Sequence, residues 1–282
     1  MKKTLFFSCL LAGAVLTACD SGSNRSTENT ADTAATTNTT GQAGTTGTIN
    51  LEKAENSPEF PDAMLEQTQP TNGQKLPAGP VTFQYNIKNF QLTQMTESEH
   101  ASMLANSEKG QHIHLIVDNE PYDALYETTY KKELEEGHHV ELSFLSRSYH
   151  ESIKTPEAYV LRQFTVGNAQ QSQNIDLNAP HMFYSRPKGD YEGKDTERIM
   201  LDFYLVNTEL SENGNKVRAT INGQEFMITD WKPYHMTGLP MGENTIKLEL
   251  LDGDGNLIQS PYNPVTRTIN LKGGSNEQAM AH

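Results

Sequence analysis

VTFQYNIKNFQL, residues 81–92, is matched without a gap by IMLDFYLVNTEL, residues 199–210, 118 positions further along the chain. Both stretches alternate apolar with other residues at a period of two, which predicts β-strands with one buried face. Because similar elements follow each stretch in the same order, we interpret the two as corresponding strands of a duplicated domain.

The two copies share further turn and strand signals. The matched segments are HIHLIVDNEPY (112–122) with KVRATINGQEF (216–226), and LEEG (134–137) with LPMG (239–242). The first pair contains Asp118-Asn119 and Asn222-Gly223, which predict hairpin turns at the same place. The second pair leads into alternating strands. Their apolar residues, which we align and interpret as facing inward, are Val140, Leu142 and Phe144 in the first copy and Ile246, Leu248 and Leu250 in the second.

Copies of roughly 100 residues with short strands, Gly, Pro and Asn turns and no long helix are typical of immunoglobulin-like β-sandwiches. The predicted fold class is therefore all-β, with two tandem immunoglobulin-like β-sandwich domains after a disordered N-terminal stalk. The predicted segments are a signal peptide at 1–18, a lipidated cysteine and flexible linker at 19–49, a His-rich first domain at 50–168, a second domain at 172–273 and a disordered tail at 274–282.

The beginning of the chain carries an export signal. Lys2 and Lys3 precede an apolar run, residues 5–16, which is too short to span a bilayer and fits a secretory signal. The run ends in Leu16-Thr17-Ala18-Cys19, which resembles the lipobox of bacterial lipoprotein signals. The resemblance implies cleavage before Cys19 and lipidation of its sulfur. We therefore expect a lipid-anchored protein of the bacterial cell envelope, at the cell surface or on a periplasmic membrane face.

Composition narrows the possible partners. The formal net charge is −14, and it becomes −16 when residues 1–18, which hold two lysines and no acid, are removed. An acidic surface repels nucleic acid and anionic lipid headgroups, so we expect no nucleic-acid partner and membrane attachment through the lipid. The chain has only two cysteines, Cys9 and Cys19, so no disulfide is expected. Residues 20–49 are rich in Ser, Thr, Gly and Asn, which predicts the flexible stalk.

Histidine is concentrated in the first copy. The apolar members of HIHLIV, residues 112–117, align with those of the second copy, so His112 and His114 are predicted to point outward together. By the alignment above, His139 and Glu141 point outward as well. Two histidines at i and i+2 on a strand, with a third nearby, suit zinc or copper. The candidate metal ligands are His112, His114 and His139, and the alternative is a polar outer face without a metal.

GQHIHLIVD, residues 110–118, resembles the copper-ligand strand of copper–zinc superoxide dismutases, which runs G-x-H-[VI]-H-x-x-x-D. The chain has no G-P-H-F-N-P-like segment that would supply a bridging ligand, and it lacks that family's cysteine pair. The resemblance therefore implies a metal-binding strand without dismutase activity.

Loops next to the strands supply candidates for ligand contact. LSRSYHESIK, residues 145–154, and the segment around Arg186 combine arginine, tyrosine and serine, which suit anionic or sugar-like groups. The first of these, LSRSYHESIK, together with SPEFPD at 57–62 and GQHIHL at 110–115, resembles a family of bacterial tandem-domain lipoproteins often labelled phosphopeptide-binding. The resemblance implies an anionic or phosphopeptide ligand. The candidate ligand-binding residues are Arg147, Tyr149, His150, Glu141 and Arg186.

No G-x-S-x-G, H-E-x-x-H or P-loop motif occurs, so we expect a protein that is not an enzyme. The predicted function is that of a lipid-anchored, non-catalytic binding module that acts through its first domain on a protein, peptide or glycan. The sequence also supports two alternatives: a zinc- or copper-binding protein, and a structural or adhesive surface module.

Overall fold

The computed structural model of the chain describes residues 48–169 and 175–274. The predicted signal peptide, the lipidated Cys19, the stalk up to residue 47 and the tail from residue 275 lie outside the described residues. The described chain consists of β-strands with one short α-helix, α1 (His100–Met103), and one 3-10 turn (Gly193–Thr196). Within these ranges, no helix has the length and apolar character that crossing a bilayer requires.

Two domains follow one another along the chain. An initial strand and the strands of the first domain are β1 (Asn50–Lys53), β2 (Met64–Gln69), β3 (Gln74–Leu76), β4 (Val81–Lys88), β5 (His112–Val117), β6 (Asp123–Leu125), β7 (Thr129–Lys132), β8 (Gly137–Ser146) and β9 (Tyr159–Val166). The strands of the second domain are β10 (His181–Arg186), β11 (Asp190–Glu192), β12 (Ile199–Val206), β13 (Lys216–Ile221), β14 (Gln224–Ile228), β15 (Tyr234–Thr237), β16 (Gly242–Leu251) and β17 (Val265–Lys272).

The two domains have the same topology. The first packs a sheet of order β2-β4-β7 against a sheet of order β3-β9-β8-β5-β6, and the second repeats this with β10-β12-β15 and β11-β17-β16-β13-β14. The edge pairs β3–β9 and β11–β17 are parallel in both domains. Even the irregularity in the first strand recurs, between Gln67 and Gln69 in β2 and between Tyr184 and Arg186 in β10. The prediction of two tandem β-sandwiches is confirmed.

Strand β1 crosses the predicted domain boundary. The sequence assigns residues from 50 onward to the first domain, whereas β1 pairs antiparallel with β15 in the second domain and places Leu51 opposite Met236. Ile49, just before β1, is buried in the second domain's core. The chain therefore starts in the sheet of the second domain before it builds the first.

Four apolar clusters lie within the described residues, and three of them are large. One fills each sandwich, and a third lies between the first domain's five-stranded sheet and the second domain. Phe144 and Tyr204 stack across this junction with ring centroids 4.7 Å apart. The buried members of the junction cluster are Ile116, Tyr122, Val140, Leu142, Phe144, Phe183, Tyr204 and Val206. Strands β5 and β8 are therefore buried on both faces.

The inward-facing assignment of Val140, Leu142 and Phe144 is wrong. In the β5–β8 pair, Leu145 lies opposite Ile113, and both belong to the first domain's core. Side chains alternate along a strand, so Phe144 and its alternate neighbours face the second domain instead. The error arises because both faces of β8 are covered, and hydrophobicity alone cannot then distinguish them.

Candidate metal centre

Three histidines of the first domain converge at the junction between the domains. His112 Nε2 lies 2.9 Å from His114 Nε2 and 3.0 Å from His150 Nδ1. One ring nitrogen from each residue lies within 4.8 Å of the other two. The first two side chains are fully buried, and His150 is partly exposed. The cluster is thus a compact group of three nitrogens with a route to solvent along its third member.

Local structure explains why these rings meet. His112 and His114 occupy i and i+2 of β5, so they share the face of the sheet that the second domain covers. His150 lies in the turn after β8, where His150 N donates to Arg147 O at 2.9 Å. Its φ of 68° is in the left-handed region, which is uncommon for a residue with a Cβ. That turn brings the His150 ring back over the end of β5.

Hydrogen bonds fix the protonation of the first ring. His112 Nδ1 donates to Gly110 O at 2.8 Å, because a carbonyl can only accept, and a neutral His112 therefore has a lone pair on Nε2. The Nε2 lone pair points at the nitrogens of His114 and His150. Tyr122 OH lies 3.2 Å from the same His150 nitrogen. A cation at the centre would accept lone pairs from all three rings at once.

The surroundings keep all three imidazoles neutral. Burial, together with smaller effects of the nearby Arg186 and Lys188, lowers the pKa of His112 to about 4. Burial likewise lowers the pKa of His114 and of His150 well below the ordinary histidine value. Neutral imidazole is the form that binds metals, so the site is prepared for a cation without having to release protons at neutral pH.

The wall around the cluster is aromatic and cationic. The Tyr122 ring stacks on His114 with centroids 3.5 Å apart and planes 9° apart, and Lys188 Nζ lies 3.9 Å from the centroid of the same ring. Ser185 Oγ, from the second domain, contacts His114 Nδ1 at 3.3 Å. The second domain therefore helps to hold a ligand strand of the first. No carboxylate belongs to the three-residue group found among the described residues.

His139 does not join this site. Its ring lies on the opposite face of the sheet, beside Phe164 of the first domain's core, because the predicted orientation of β8 was reversed. Both ring nitrogens are engaged, Nδ1 with Asp118 Oδ2 at 2.7 Å and Nε2 with Glu135 O at 2.9 Å. The hydrogen bond with Asp118 raises the pKa of His139. Glu141 is also reversed, and it is fully buried inside the sandwich rather than exposed to a ligand.

The other predicted contact residues separate into structural and junction roles. Arg147 is occupied inside the first domain, since Nη1 lies 2.9 Å from Glu151 Oε1 and Nε donates to Pro58 O at 3.0 Å. These contacts leave Arg147 unavailable to an external anion. Tyr149 is buried against Leu104 in a small apolar cluster. Arg186 lies at the junction, near the histidines, and is buried.

Sequence reasoning missed part of the site. It placed His150 among anion contacts rather than metal ligands, because a residue in a turn has no strand periodicity to orient it. It also missed Tyr122 and Ser185, which reach the cluster only through tertiary packing. The sequence contains one signal for Tyr122. It is the last residue of HIHLIVDNEPY and follows the hairpin turn, after which the chain runs back toward β5.

A groove runs beside the same junction. Two adjoining cavities of about 590 and 650 Å³ share Pro156, Tyr159 and Asn207. The second cavity is also lined by Trp231, the single tryptophan of the chain, whose ring packs edge-on against Tyr204 at 5.1 Å. Lys154 Nζ lies 5.5 Å from the Trp231 ring. The groove thus combines aromatic side chains with hydrogen-bonding and charged groups.

Comparison with known proteins found similar solved structures and no matching family. No family model and no curated protein matches it. It is similar to the fibronectin(III)-like modules of Clostridium thermocellum CbhA, with 14% identity over 78% of this chain and 97% of that chain and a TM-score of 0.27. It is also similar to the central fibronectin-III array of RIM-binding protein, with 9% identity over 79% of this chain and 72% of that chain and a TM-score of 0.24. A third similar structure is the Bacteroides ovatus mixed-linkage glucan utilization locus SGBP-B in complex with a mixed-linkage heptasaccharide. Its sequence identity is 10%, over 78% of this chain and 47% of that chain, and the TM-score is 0.21. These structures are similar to the chain, whereas the two-sandwich fold itself is shown by the order of the chain's own strands.

Proposed function

We propose that this chain is a lipid-anchored protein of the bacterial cell envelope that binds zinc or copper through His112, His114 and His150. The observation that carries the proposal is the convergence of three neutral ring nitrogens within 4.8 Å of one another. The anchor is supported by the lipobox-like Leu16-Thr17-Ala18-Cys19. Membrane association that survives a Cys19→Ala substitution would contradict the anchor.

The donor set favours particular metals. Imidazole nitrogen suits zinc, copper, iron and nickel, whereas calcium and magnesium require oxygen ligands. Zinc–nitrogen bonds are about 2.0–2.1 Å. His112 Nε2 therefore has to move away from its two partner nitrogens by only a few tenths of an ångström to make room for an ion. Three protein ligands leave room for a water or a small ligand. The proposal is binding rather than catalysis, since two of the three ligands are shut off from solvent.

Metal binding is tested by titrating the metal-free protein with Zn(II) and Cu(II) in a calorimeter. We expect one equivalent to bind, and at a free metal concentration about 100 times the Kd we expect stabilisation by about 2.7 kcal/mol. The substitutions His112→Gln and His150→Ala remove one ligand each and should weaken binding by about 100-fold or more, because each ligand contributes a direct bond.

A control separates this site from general histidine binding. His181 is also buried, but it bonds to Asp176 O and contacts Ser260 outside the cluster, so His181→Ala should leave metal affinity unchanged. Equal affinity in the wild type, His112→Gln and His150→Ala would overturn the proposal, as would the absence of binding by the folded wild type.

The groove supports a second candidate function, recognition of a carbohydrate chain. Sugars present apolar faces and hydroxyl groups, which suit Tyr159 and Trp231 together with neighbouring amide and charged side chains. Trp231 fluorescence should change on titration with an oligosaccharide panel, because it is the single tryptophan. Tyr159→Ala should weaken the response by about 10-fold or more, whereas Tyr130→Ala, outside the groove, should not. A flat response to every sugar would contradict this function.

A further inference from the structure

A small buried cavity lies where the second domain meets the loop between β4 and β5. Its volume is about 10 Å³, which is about the space of one water molecule. A halide ion is larger, so it fits when the lining side chains shift slightly outward. The loop contributes Leu104 and Ala105, which are part of the long insertion that only the first domain contains. The full lining is Leu104, Ala105, Tyr149, Arg186, Tyr191, Arg198 and Met200.

Among the described residues, two arginines and no carboxylate line this cavity. The Arg186 side chain is buried, with 6% of the residue exposed, and its Nε has no hydrogen-bond partner in the described part of the chain. Neither Arg186 nor Arg198 forms a salt bridge with any residue in 48–169 or 175–274. Arg198 Nη1 donates to His235 Nδ1 at 3.3 Å, which satisfies only one of its donors.

Nearby acids do not neutralise this pair. Asp202 is buried, but its two oxygens already accept from Lys154 Nζ at 2.6 Å and from Ser152 N at 2.9 Å. Asp195 lies in the 3-10 turn and is exposed. A guanidinium removed from water without a counter-charge is costly, so a fold that buries Arg186 needs an anion beside it.

From this juxtaposition we infer that the cavity between Arg186 and Arg198 is a binding site for a monovalent anion of chloride size. The two guanidinium groups supply donors. The Tyr191 hydroxyl accepts from Lys188 N at 3.4 Å and keeps its own proton for donation. Leu104 and Met200 exclude bulk water, which strengthens the attraction between the anion and the guanidinium groups.

The alternative occupant is a water molecule. Water needs acceptors for its own protons as well as donors, and it brings no charge to offset two guanidinium groups. The arginine side chains in the lining offer donors only, and the acceptors that side chains leave for a water molecule are the hydroxyl groups of Tyr149 and Tyr191. An anion in addition supplies the negative charge that the lining lacks, which water cannot supply.

Bromide provides a direct probe, because its anomalous scattering distinguishes it from water. Crystals of the protein soaked in bromide should show one anomalous peak beside Arg186 in the cavity. In solution, chloride or bromide should raise the thermal unfolding midpoint by roughly 2–4 °C over gluconate at equal ionic strength, with saturation. Arg186→Met should abolish that rise, and Arg162→Met, an arginine outside the cavity, should retain it.

Further variants keep the inference falsifiable if Arg186→Met does not fold. Arg198→Met should also abolish the halide effect, and His112→Gln, which disables the proposed metal site, should preserve it. A cavity that contains only water in bromide-soaked crystals overturns the inference. So does a bromide peak without any saturable effect in solution, since that is binding at crystal concentration only.

Discussion

Glu141 places a carboxyl group inside the core of the first sandwich. It is fully buried, and Ser143 Oγ donates to its Oε1 at 3.2 Å, while Oε2 has no partner among the described residues. Ser143 Oγ also lies 2.7 Å from Tyr85 OH. Burial raises the pKa of Glu141 from 4.5 to about 8. The folded state therefore binds this proton more tightly than the unfolded chain does.

The raised pKa of Glu141 predicts a stability that falls as pH rises from about 4.5 to about 8. Glu141→Gln keeps the shape but cannot ionise. We expect it to change the free energy of unfolding little at about pH 4 and to increase it by roughly 2–4 kcal/mol at about pH 9. Denaturant unfolding across this range measures the effect. Glu66→Gln, exposed on β2, is the control, and parallel pH profiles for wild type and Glu141→Gln would contradict the prediction.

At the residue scale, the sequence placed two of the three clustered histidines. His112 and His114 were predictable because the other face of β5 is uniformly apolar and matches the second copy, so their shared face was determined. His150 was not predictable as their partner. Its position depends on the turn after β8, in which His150 itself has a left-handed conformation. It also depends on how far that turn carries the chain back across the sheet.

At the element scale, an error of one residue in aligning β8 with β16 explains why the side chains of β8 were assigned to the wrong face. Gly137 and Gly242 begin β8 and β16, and counting from them matches Glu141 with Ile246. The pairings agree, because Glu141 lies opposite Val117 and Ile246 lies opposite Ile221. Aligning apolar residues instead shifted the match by one, which reverses every side chain. Because β8 has polar residues at inward positions, the shifted alignment matched more apolar residues between the two strands.

Strand β1 is expected to stabilise the second domain, although it precedes the first. Removing residues 1–53 turns β15 into an edge strand and takes Ile49 from the core. Loss of a buried isoleucine alone costs roughly 2–4 kcal/mol. We expect hydrogen exchange to accelerate at the amides of Tyr234–Thr237. Removal of residues 1–47 is the matched control, and equal protection of β15 in both shortened chains would contradict the role of β1.

At the scale of the whole molecule, the two sandwiches share a buried layer. Phe144 and Tyr204 stack within it, and Tyr204 OH donates to Ile153 O at 3.2 Å across the junction. Asp202 adds an ion pair with Lys154 at 2.6 Å, and its own side chain is fully buried. Because the site histidines lie in this layer, docking of the second domain buries them and brings Ser185 against His114.

The Asp202–Lys154 pair provides a test of that docking. Asp202→Ala leaves Lys154 partly buried without its partner and should lower the free energy of unfolding by roughly 3–5 kcal/mol. Adding Lys154→Met should recover part of the loss, as a double-mutant cycle would show. The exposed pair Asp190–Lys272 is the control, where Asp190→Ala should cost about 1 kcal/mol or less. Additive losses in the Asp202–Lys154 cycle would contradict coupling across the junction.

The sequence by itself determined the duplicated all-β fold, the order of its strands and the orientation of β5. It could do so because alternation, turn residues and repeat spacing are local properties of the chain. Only the tertiary structure decided that the histidine face is buried, that His150 completes the cluster and that β1 joins the second domain. These facts depend on the docking of one sandwich onto the other, and a sheet covered on both faces has no sequence pattern that reveals what covers it.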